Sequence, residues 1–274
     1  MTQIELVRDR DRLERFLRRD TGLNLYSLAD LDDAFWPRTT WYASCDDGDE
    51  IAALCMMFSG LEPSVLIGLS GEVDERVRSL LREVAPRLPD TLYAHLSPDL
   101  VETAAECFQI ETHGLHQKML LHDAAALEGV DTSQVIPLDV SDLDELGTFY
   151  APLRAGGADG EYALEPYMLE TGHYFGVRDA TGLLSVGGVH VWSERYGVAA
   201  IGNVATRPDE RGRGWVRRVT ARICRSLIGT VPDVGLNVQV SNTPAVRCYE
   251  RLGFRRVADY REATLRRACY DPPP

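Results

Sequence analysis

The stretch VATRPDERGRGWVRRVTARICRSL, Val204 to Leu227, gathers Arg207, Arg211, Arg213, Arg217, Arg218, Arg222 and Arg225 in a chain of 274 residues whose formal net charge is -13. It reads as the end of a strand, a glycine-bearing turn and a helix in which Val216, Val219, Ile223 and Leu227 recur at helical spacing. That order suits an anion. Gly212 and Gly214 let the backbone approach a ligand closely, the first N-H groups of the helix point outward, and the helix dipole favours negative charge there. Arginine adds charge-assisted hydrogen bonds to phosphate oxygens. A solvated helix face after a glycine turn is the other reading of the same residues. The spacing is neither G-x-G-x-x-G nor a Walker loop, which disfavours a dinucleotide or a nucleoside triphosphate.

Downstream lies NTPAVRCYERLGF, Asn242 to Phe254. Asn242 is a good N-cap at a strand end, and Pro244 fits the first helical turn. Ala245 and Tyr249 share a face at i and i+4, and Gly253 fits the C-terminal cap before the next strand. A phenol then projects from the helix wall near the strand end. A buried tyrosine with a satisfied hydroxyl is the bland alternative.

Taken in order, the two motifs resemble the GNAT superfamily of acyl-CoA-dependent N-acetyltransferases, whose pattern is R/Q-x-x-G-x-G/A followed by N-x-x-A-x-x-x-Y-x-x-x-G-F. The second motif matches at Asn242, Ala245, Tyr249, Gly253 and Phe254. The first matches at Arg211 and Gly214, while Val216 replaces the usual Gly or Ala. The resemblance is specific over about Leu183 to Leu265. It implies a GNAT fold of α/β (α+β) class, a mostly antiparallel mixed sheet flanked by helices. It also implies acetyl-CoA, or another short acyl-CoA, as co-substrate and no metal. Backbone near Val204, Ala205 and Thr206 would pair with the pantetheine arm, and Arg211, Gly212, Arg213, Gly214, Trp215 and Val216 would hold the pyrophosphate. Asn242 would touch the arm, with Ala245 beside it. Tyr249 resembles the family's general acid. An amine, on a small molecule or a peptide, would attack the thioester directly. An alkyl amine with a pKa of about 10 is protonated at neutral pH and must lose that proton first. His190 on VGGVHVW, Glu194 after it and Glu161 are candidates for that task. Each has a structural alternative, as a satisfied sheet residue or a solvated loop charge. The acceptor, the acyl length and the oligomeric state are not legible.

Composition narrows the alternatives. Residues 1–130 hold 12 basic and 24 acidic side chains, whereas the remainder holds 17 and 18. A field of that sign repels nucleic acid, so DNA or RNA is a poor partner for the arginine helix. No apolar run reaches membrane-spanning length and the N-terminus carries no signal-peptide pattern, which gives the expectation of a cytoplasmic protein with no membrane partner. The six cysteines show no metal-ligand spacing.

Outward from the motifs, the chain reads as two similar halves. The first has a helix over Arg10 to Arg19, then a loop with Pro37, strands TWYAS, EIAALCMMF and PSVLIGLSG, the helix EVDERVRSLLREVAPRL, the strand TLYAHLS, a short helix near Leu100 to Cys107 and a strand HQKMLLH. The boundaries expected are a degenerate GNAT-like domain over 1–125, a linker over 126–132 and a catalytic domain over 133–274. The segment PDTLYAHLSPDLVETAAECF lines up roughly with PDVGLNVQVSNTPAVRCYERLGF, placing Pro98 where Asn242 stands and Ala105 where Tyr249 stands. IGLSGEVDERVRSLL carries carboxylates where the second half has its glycine loop. The first half, also suggested by NLYSLADLDDAFWPRTTWYA to resemble the N-terminal half of tandem proteins of the glycine N-acyltransferase-like group, is therefore not expected to bind CoA. A sensor or interaction module that binds acyl-CoA without turnover is the rival reading.

Overall fold

The structure, a computed structural model, describes residues 4–46, 48, 50–155 and 164–267. The chain divides into two compact units, one made of Met1–Lys118 with the chain from Val257 onward, the other of Met119–Arg256. Both have the expected class, a mostly antiparallel mixed sheet with helices packed on it.

In the first unit, β1 (Ile4–Val7), β2 (Thr39–Cys45), β3 (Ile51–Phe58) and β4 (Val65–Gly68) form an antiparallel run, and β4 pairs in parallel with β5 (Thr91–Leu96). The crossover between β4 and β5 carries α3 (Glu75–Val84). Val77, Leu80, Leu81 and Val84 of α3 pack on Leu92, Ala94 and Leu96 of β5. A short α4 (Val101–Ala105) leads to β6 (Phe108–Leu121), longer than its apolar C-terminal part suggested. Two helices lie between β1 and β2. α1 (Arg10–Leu17) is capped by Asp9, and α2 (Thr21–Ala29) occupies a stretch expected as loop. Seven of the nine residues of α2 are buried, so no polar stripe marks its period; Asp20 starts it by accepting from Leu23 N-H at 3.0 Å.

The second unit repeats the plan. Here β7 (Ile136–Pro137), β8 (Tyr174–Asp179), β9 (Gly182–Ser193) and β10 (Val198–Thr206) are antiparallel neighbours, and β10 pairs in parallel with β11 (Asp233–Gln239). α7 (Trp215–Leu227) is the crossover, burying Val219, Ile223 and Leu227 against β8, β9, β10 and β11. α8 (Thr243–Arg251) follows β11, and β12 (Phe254–Arg267) follows α8. From Val257 on, β12 belongs to the first unit, where its residues Arg261–Arg266 pair antiparallel with β5. α5 (Leu143–Ala155) and α6 (Pro166–Glu170) pack with Tyr174, Leu183 and Val186 on a further core.

The segment after β6, expected as a free polar linker, is packed. Leu127 and Val130 are buried with α7 residues, and the Arg225 guanidinium donates to Leu127 O, to Val130 O at 2.8 Å and to Thr132 Oγ1 at 2.9 Å. Apolar residues too sparse to show a period still reach a core when one side chain gathers their carbonyls.

The glycine pair in β9 has a packing reason. A Cβ on Gly188 would lie 2.0 Å from the Tyr174 ring, and one on Gly187 would lie 3.0 Å from Val204 Cγ2. Gly188→Ala therefore forces the buried Tyr174 to move, and overpacking of this kind costs about 1–3 kcal/mol. Chemical denaturation of that variant is expected to show a lower midpoint at unchanged slope, and an unchanged midpoint would contradict the packing described.

Candidate functional site

β10 and β11 keep parallel register only from Val198 opposite Asp233 to Ile201 opposite Leu236. Beyond that, Gly202 to Thr206 have no register with β11, so the two strands part company. The cause is on the other flank. Between Gly202, opposite Gly188, and Ala205, opposite Val186, β10 has one more residue than β9. Asn203 sits there at φ 53°, the described non-glycine residue in the left-handed region. A bulge bends and twists its strand, and this one turns β10 away from β11.

Buried hydroxyls hold the bulge. Tyr150 Oη donates to Asn203 O at 2.5 Å and lies 2.7 Å from Tyr174 Oη. Burial pushes the Tyr174 phenol up to about 12, so it stays a neutral hydroxyl. Ser185 Oγ donates to Ala205 O at 2.9 Å and stands 2.8 Å from Thr206 Oγ1. Val204, Ala205 and Thr206 are thus fixed from behind. Tyr150, Tyr174 and Ser185 were not foreseen from sequence, because isolated polar groups in apolar strands give no pattern.

After Thr206 a short 3-10 turn, Pro208–Glu210, leads into Arg211–Gly214 and α7. Gly212 and Gly214 take φ 78° and 80°, and a Cβ on either would meet no atom within 4 Å. The loop therefore faces open space. Among the described residues no side chain caps α7, and the first of its N-H groups met by a chain carbonyl is that of Arg218, on Gly214 O at 3.3 Å. The unmet N-H groups before it make an anion-favouring end.

Most of the seven arginines have other work. Arg207 bonds Asp209 Oδ1 at 2.7 Å and Thr181 Oγ1 at 2.9 Å, and Arg213 reaches Glu210 Oε1 at 3.1 Å. Arg218 meets Gln134 at 2.9 Å and stacks on Trp215, Arg222 lies 4.7 Å over the Phe175 ring, and Arg225 holds the segment after β6. Among the described residues Arg211 and Arg217 have no ion pair, and both are exposed. The expectation of an arginine cluster answering to one anion is thereby reduced to two side chains. Glu210, buried to 8% exposure, accepts from Trp215 Nε1 at 3.2 Å as well as facing Arg213 and Arg207. It braces the loop from inside. An acid three residues before Arg213 was the signal that could have found it.

Val216, the departure from the family pattern, packs on the second unit's core beside Trp215. Its branched side chain points into apolar surroundings. In α8, Asn242 Oδ1 accepts from Ala245 N-H at 3.3 Å, and Ala245 rests on the same core. Tyr249 is 7% exposed, its ring 6.0 Å from that of Phe254. Gly253 takes φ 90°, and a Cβ there would lie 2.0 Å from Asp123 O, which explains the glycine at this helix end.

The remaining candidates fall in different places. His190 on β9 is the neighbour of Gly202, the residue before the bulge, with its Cβ 2.7 Å from where a Cβ on Gly202 would stand. Burial holds its imidazole below the ordinary value, which keeps it neutral at pH 7. Glu194 is exposed in the turn joining β9 to β10, at the paired end of β10 and away from the bulge. Glu161 lies outside the described residues.

The equivalent place in the first unit is closed. β4 and β5 stay paired to Gly68 and Leu96, after which Ser97 N-H donates to Gly68 O at 2.9 Å. Ser97 Oγ accepts from Ser70 N-H at 2.9 Å and donates to Ser70 O at 3.0 Å. The N-terminus of α3 is filled by its own chain, since Asp74 Oδ1 accepts from Arg76 and Val77 N-H at 3.0 and 3.1 Å.

Known proteins resemble this chain in part of its sequence and in its fold. Residues 180–263 match the family model described as FR47-like protein. No curated protein matches the chain in sequence. Among solved structures, a Drosophila protein is similar with a TM-score of 0.69 at 10% identity, over 97% of this chain and 99% of that one. A tandem GNAT protein from the clavulanic acid biosynthesis pathway is similar with a TM-score of 0.58 at 14% identity, over 98% and 100%. A GNAT-family acetyltransferase from Colwellia psychrerythraea gives 0.55 at 12%, over 97% and 100%. The fold is like that of these solved GNAT-family structures, and the FR47-like segment spans β9 through most of β12. Among the described residues no helix is long and apolar enough to cross a membrane.

Two glycines separate backbone strain from space. Gly214→Ala puts a side chain at φ 80° with nothing to clash against and is expected to cost about 1–2 kcal/mol, the left-handed penalty alone. Gly147→Ala, inside α5 and equally unobstructed, is expected to gain about 1 kcal/mol from helix propensity. Equal shifts in the two melting curves would refute the assignment of φ as the cause.

Proposed function

We propose that the second half of the chain, the catalytic domain expected over 133–274, binds an acyl-CoA and transfers its acetyl or other short acyl group to an amine. The observation that carries this is the parting of β10 from β11 beside an uncapped, open α7 N-terminus. The residues fit such a donor. Backbone N-H groups from Arg211 to Val216 suit a pyrophosphate, with Arg211 and Arg217 as the available cations. Backbone at Val204 to Thr206, no longer engaged by β11, suits an extended amide-bearing arm. Asn242 keeps its side-chain N-H group for the same ligand, because its Oδ1 is the atom used in capping, and Ala245 leaves room beside it.

An acyl-CoA supplies an activated thioester, and the chain's own groups supply proton management. Tyr249 holds a proton at Oη for the leaving sulfur. His190, neutral near pH 7, is the group beside the bulge able to accept a proton from the attacking amine. The N-H of Val204, at the bulge, is the donor proposed for the thioester carbonyl. Glu194, at the hairpin turn, receives no part in this scheme. The first unit, with β4 and β5 joined to their ends and Asp74 seated at α3, is proposed not to bind the donor.

The test is release of CoA thiol from acetyl-CoA across small amines, polyamines, amino acids and basic peptides. Release that depends on one amine class is expected, with Tyr249→Phe lowering turnover by about 10²-fold or more and leaving acetyl-CoA affinity near wild type. Full turnover in Tyr249→Phe removes that residue from the mechanism. Binding of acyl-CoA with no amine-dependent release, for acetyl and longer chains alike, turns the reading to a silent acyl-CoA-binding module.

A further inference from the structure

Asn203 and Val204 share one peptide group. The Asn203 carbonyl oxygen and the Val204 N-H, the donor proposed for the thioester carbonyl, lie on opposite edges of that planar trans unit, so whatever bonds the oxygen also acts on the N-H. The oxygen is the one met by Tyr150 Oη at 2.5 Å. Neither Asn203 nor Val204 has a register partner on β9 or β11. A side chain therefore does here what a neighbouring strand does elsewhere in a sheet.

The direction of each hydrogen bond in the group is forced. A carbonyl oxygen can only accept, so the single hydroxyl proton of Tyr150 goes to Asn203 O. Tyr150 Oη then has only lone pairs to offer Tyr174 Oη, 2.7 Å away, and the Tyr174 proton points to it. With its proton so used, Tyr174 Oη accepts from the Asn203 side chain, whose Nδ2 also reaches Met168 Sδ at 3.6 Å. The order runs from the Tyr174 hydroxyl to the Tyr150 hydroxyl to Asn203 O, and it ends on the peptide whose far edge is the Val204 N-H.

The surroundings make that order count. Tyr150 and Tyr174 are both at 0% exposure, so water does not compete for their hydroxyls. In so dry a place successive hydrogen bonds polarise one another. Electron density drawn toward Asn203 O leaves the Val204 N-H more positive. Every proton stays on its own oxygen, and what changes is the strength and the aim of the last donor. The rings cannot drift: a Cβ on Gly188 would already lie 2.0 Å from the Tyr174 ring, and the Phe149 ring stands edge-on to that of Tyr150 with centroids 5.2 Å apart.

We propose that Tyr150 and Tyr174 are positioning residues for acyl transfer: acting through the peptide of Asn203 and Val204, their relayed hydroxyls aim and strengthen the Val204 N-H as donor to the acyl carbonyl. This rests on the acyl-transfer reading and adds to it two residues that do not touch the substrate. The full chain is loaded with acetyl-CoA carrying 13C at the thioester carbonyl, and the carbonyl stretch of the bound donor is read by difference infrared spectroscopy. A stretch lower than that of free acetyl-CoA is expected, since a hydrogen bond to the oxygen weakens the C=O bond. In Tyr150→Phe, which keeps the ring and loses the donor, it is expected to return most of the way to the free value. In Tyr174→Phe, which removes only the second link, it is expected to return part of the way, with acetyl-CoA affinity near wild type in both variants. Replacement of Tyr150 by 3-fluorotyrosine, close in shape and a stronger donor, is expected to lower the stretch further, an exchange to which a role confined to holding the bulge would not respond. In turnover, Tyr150→Phe is expected to lower kcat about tenfold with KM for acetyl-CoA unchanged, less than the roughly 10²–10³-fold loss on removing an oxyanion donor outright. Bound acetyl-CoA with an unshifted stretch, equal stretches in all four proteins, a fluorotyrosine protein no different from wild type, or an unchanged kcat would each overturn the relay alone. Failure of acetyl-CoA to bind any of the four would overturn the acyl-transfer reading, and the relay with it. If Tyr150→Phe does not fold, Tyr174→Phe and the fluorotyrosine protein decide.

Discussion

One extra residue in β10 sets the geometry of the second unit. Without it the parallel ladder with β11 would continue past Ile201, and the edges of both strands would be spent on each other. Asn203 in the left-handed region costs of order 1–3 kcal/mol for a non-glycine residue. The hydrogen bond from Tyr150 to its carbonyl, made in a buried place where an unmet oxygen is expensive, offsets that cost. Tyr150 in turn needs Tyr174, Tyr174 needs the missing side chain of Gly188, and Val204 needs that of Gly187. The glycines, the phenols and the bulge are one device, and the edge of Val204 to Thr206 that β11 does not pair is its product.

Charge is arranged with the same economy. Seven arginines around two glycines look like a surplus held for a ligand, yet five of them bind the chain's own oxygens or lie over its rings. Buried Glu210 is the reason the loop can be stiff. It takes an indole N-H and faces two guanidinium groups, fixing the turn from within while Arg211 and Arg217 stay outside. A loop so braced loses little freedom when an anion arrives, and that matters more to affinity than the number of nearby positive charges.

What could be read from sequence follows from where each signal is encoded. Asn242, Ala245, Tyr249 and Gly253 are legible because a cap, a helix face and a left-handed helix end each demand particular residue types at fixed offsets. The glycine loop is legible for the same reason. α2 was not, since a helix buried on nearly all sides has no stripe, and its start depends on the single carboxylate of Asp20. The packing of Leu127 and Val130 was hidden because Arg225, about a hundred residues away in sequence, gathers the carbonyls beside them. Val216 raised a question that sequence alone left open: a branched residue at a close-approach position matters only if its side chain faces the ligand, and here it faces the core.

The two units show how little separates an open anion site from a closed one on a common plan. Each has a parallel strand pair, a crossover helix and a short second helix, and each short helix is followed by a strand of fourteen residues. In the second, the strands part and the helix dipole is left without a chain acceptor for its first N-H groups. In the first, Ser70 and Ser97 join the strand ends, and the carboxylate of Asp74 takes the N-H groups an external anion would otherwise meet. A helix N-terminus near open space must find an acceptor, from water, a ligand or its own chain. Where the chain supplies it, as at α3, the anion-binding use of the helix is lost. The same scaffold can therefore keep or lose an anion-binding helix end, set by a capping residue in one unit and by its absence in the other.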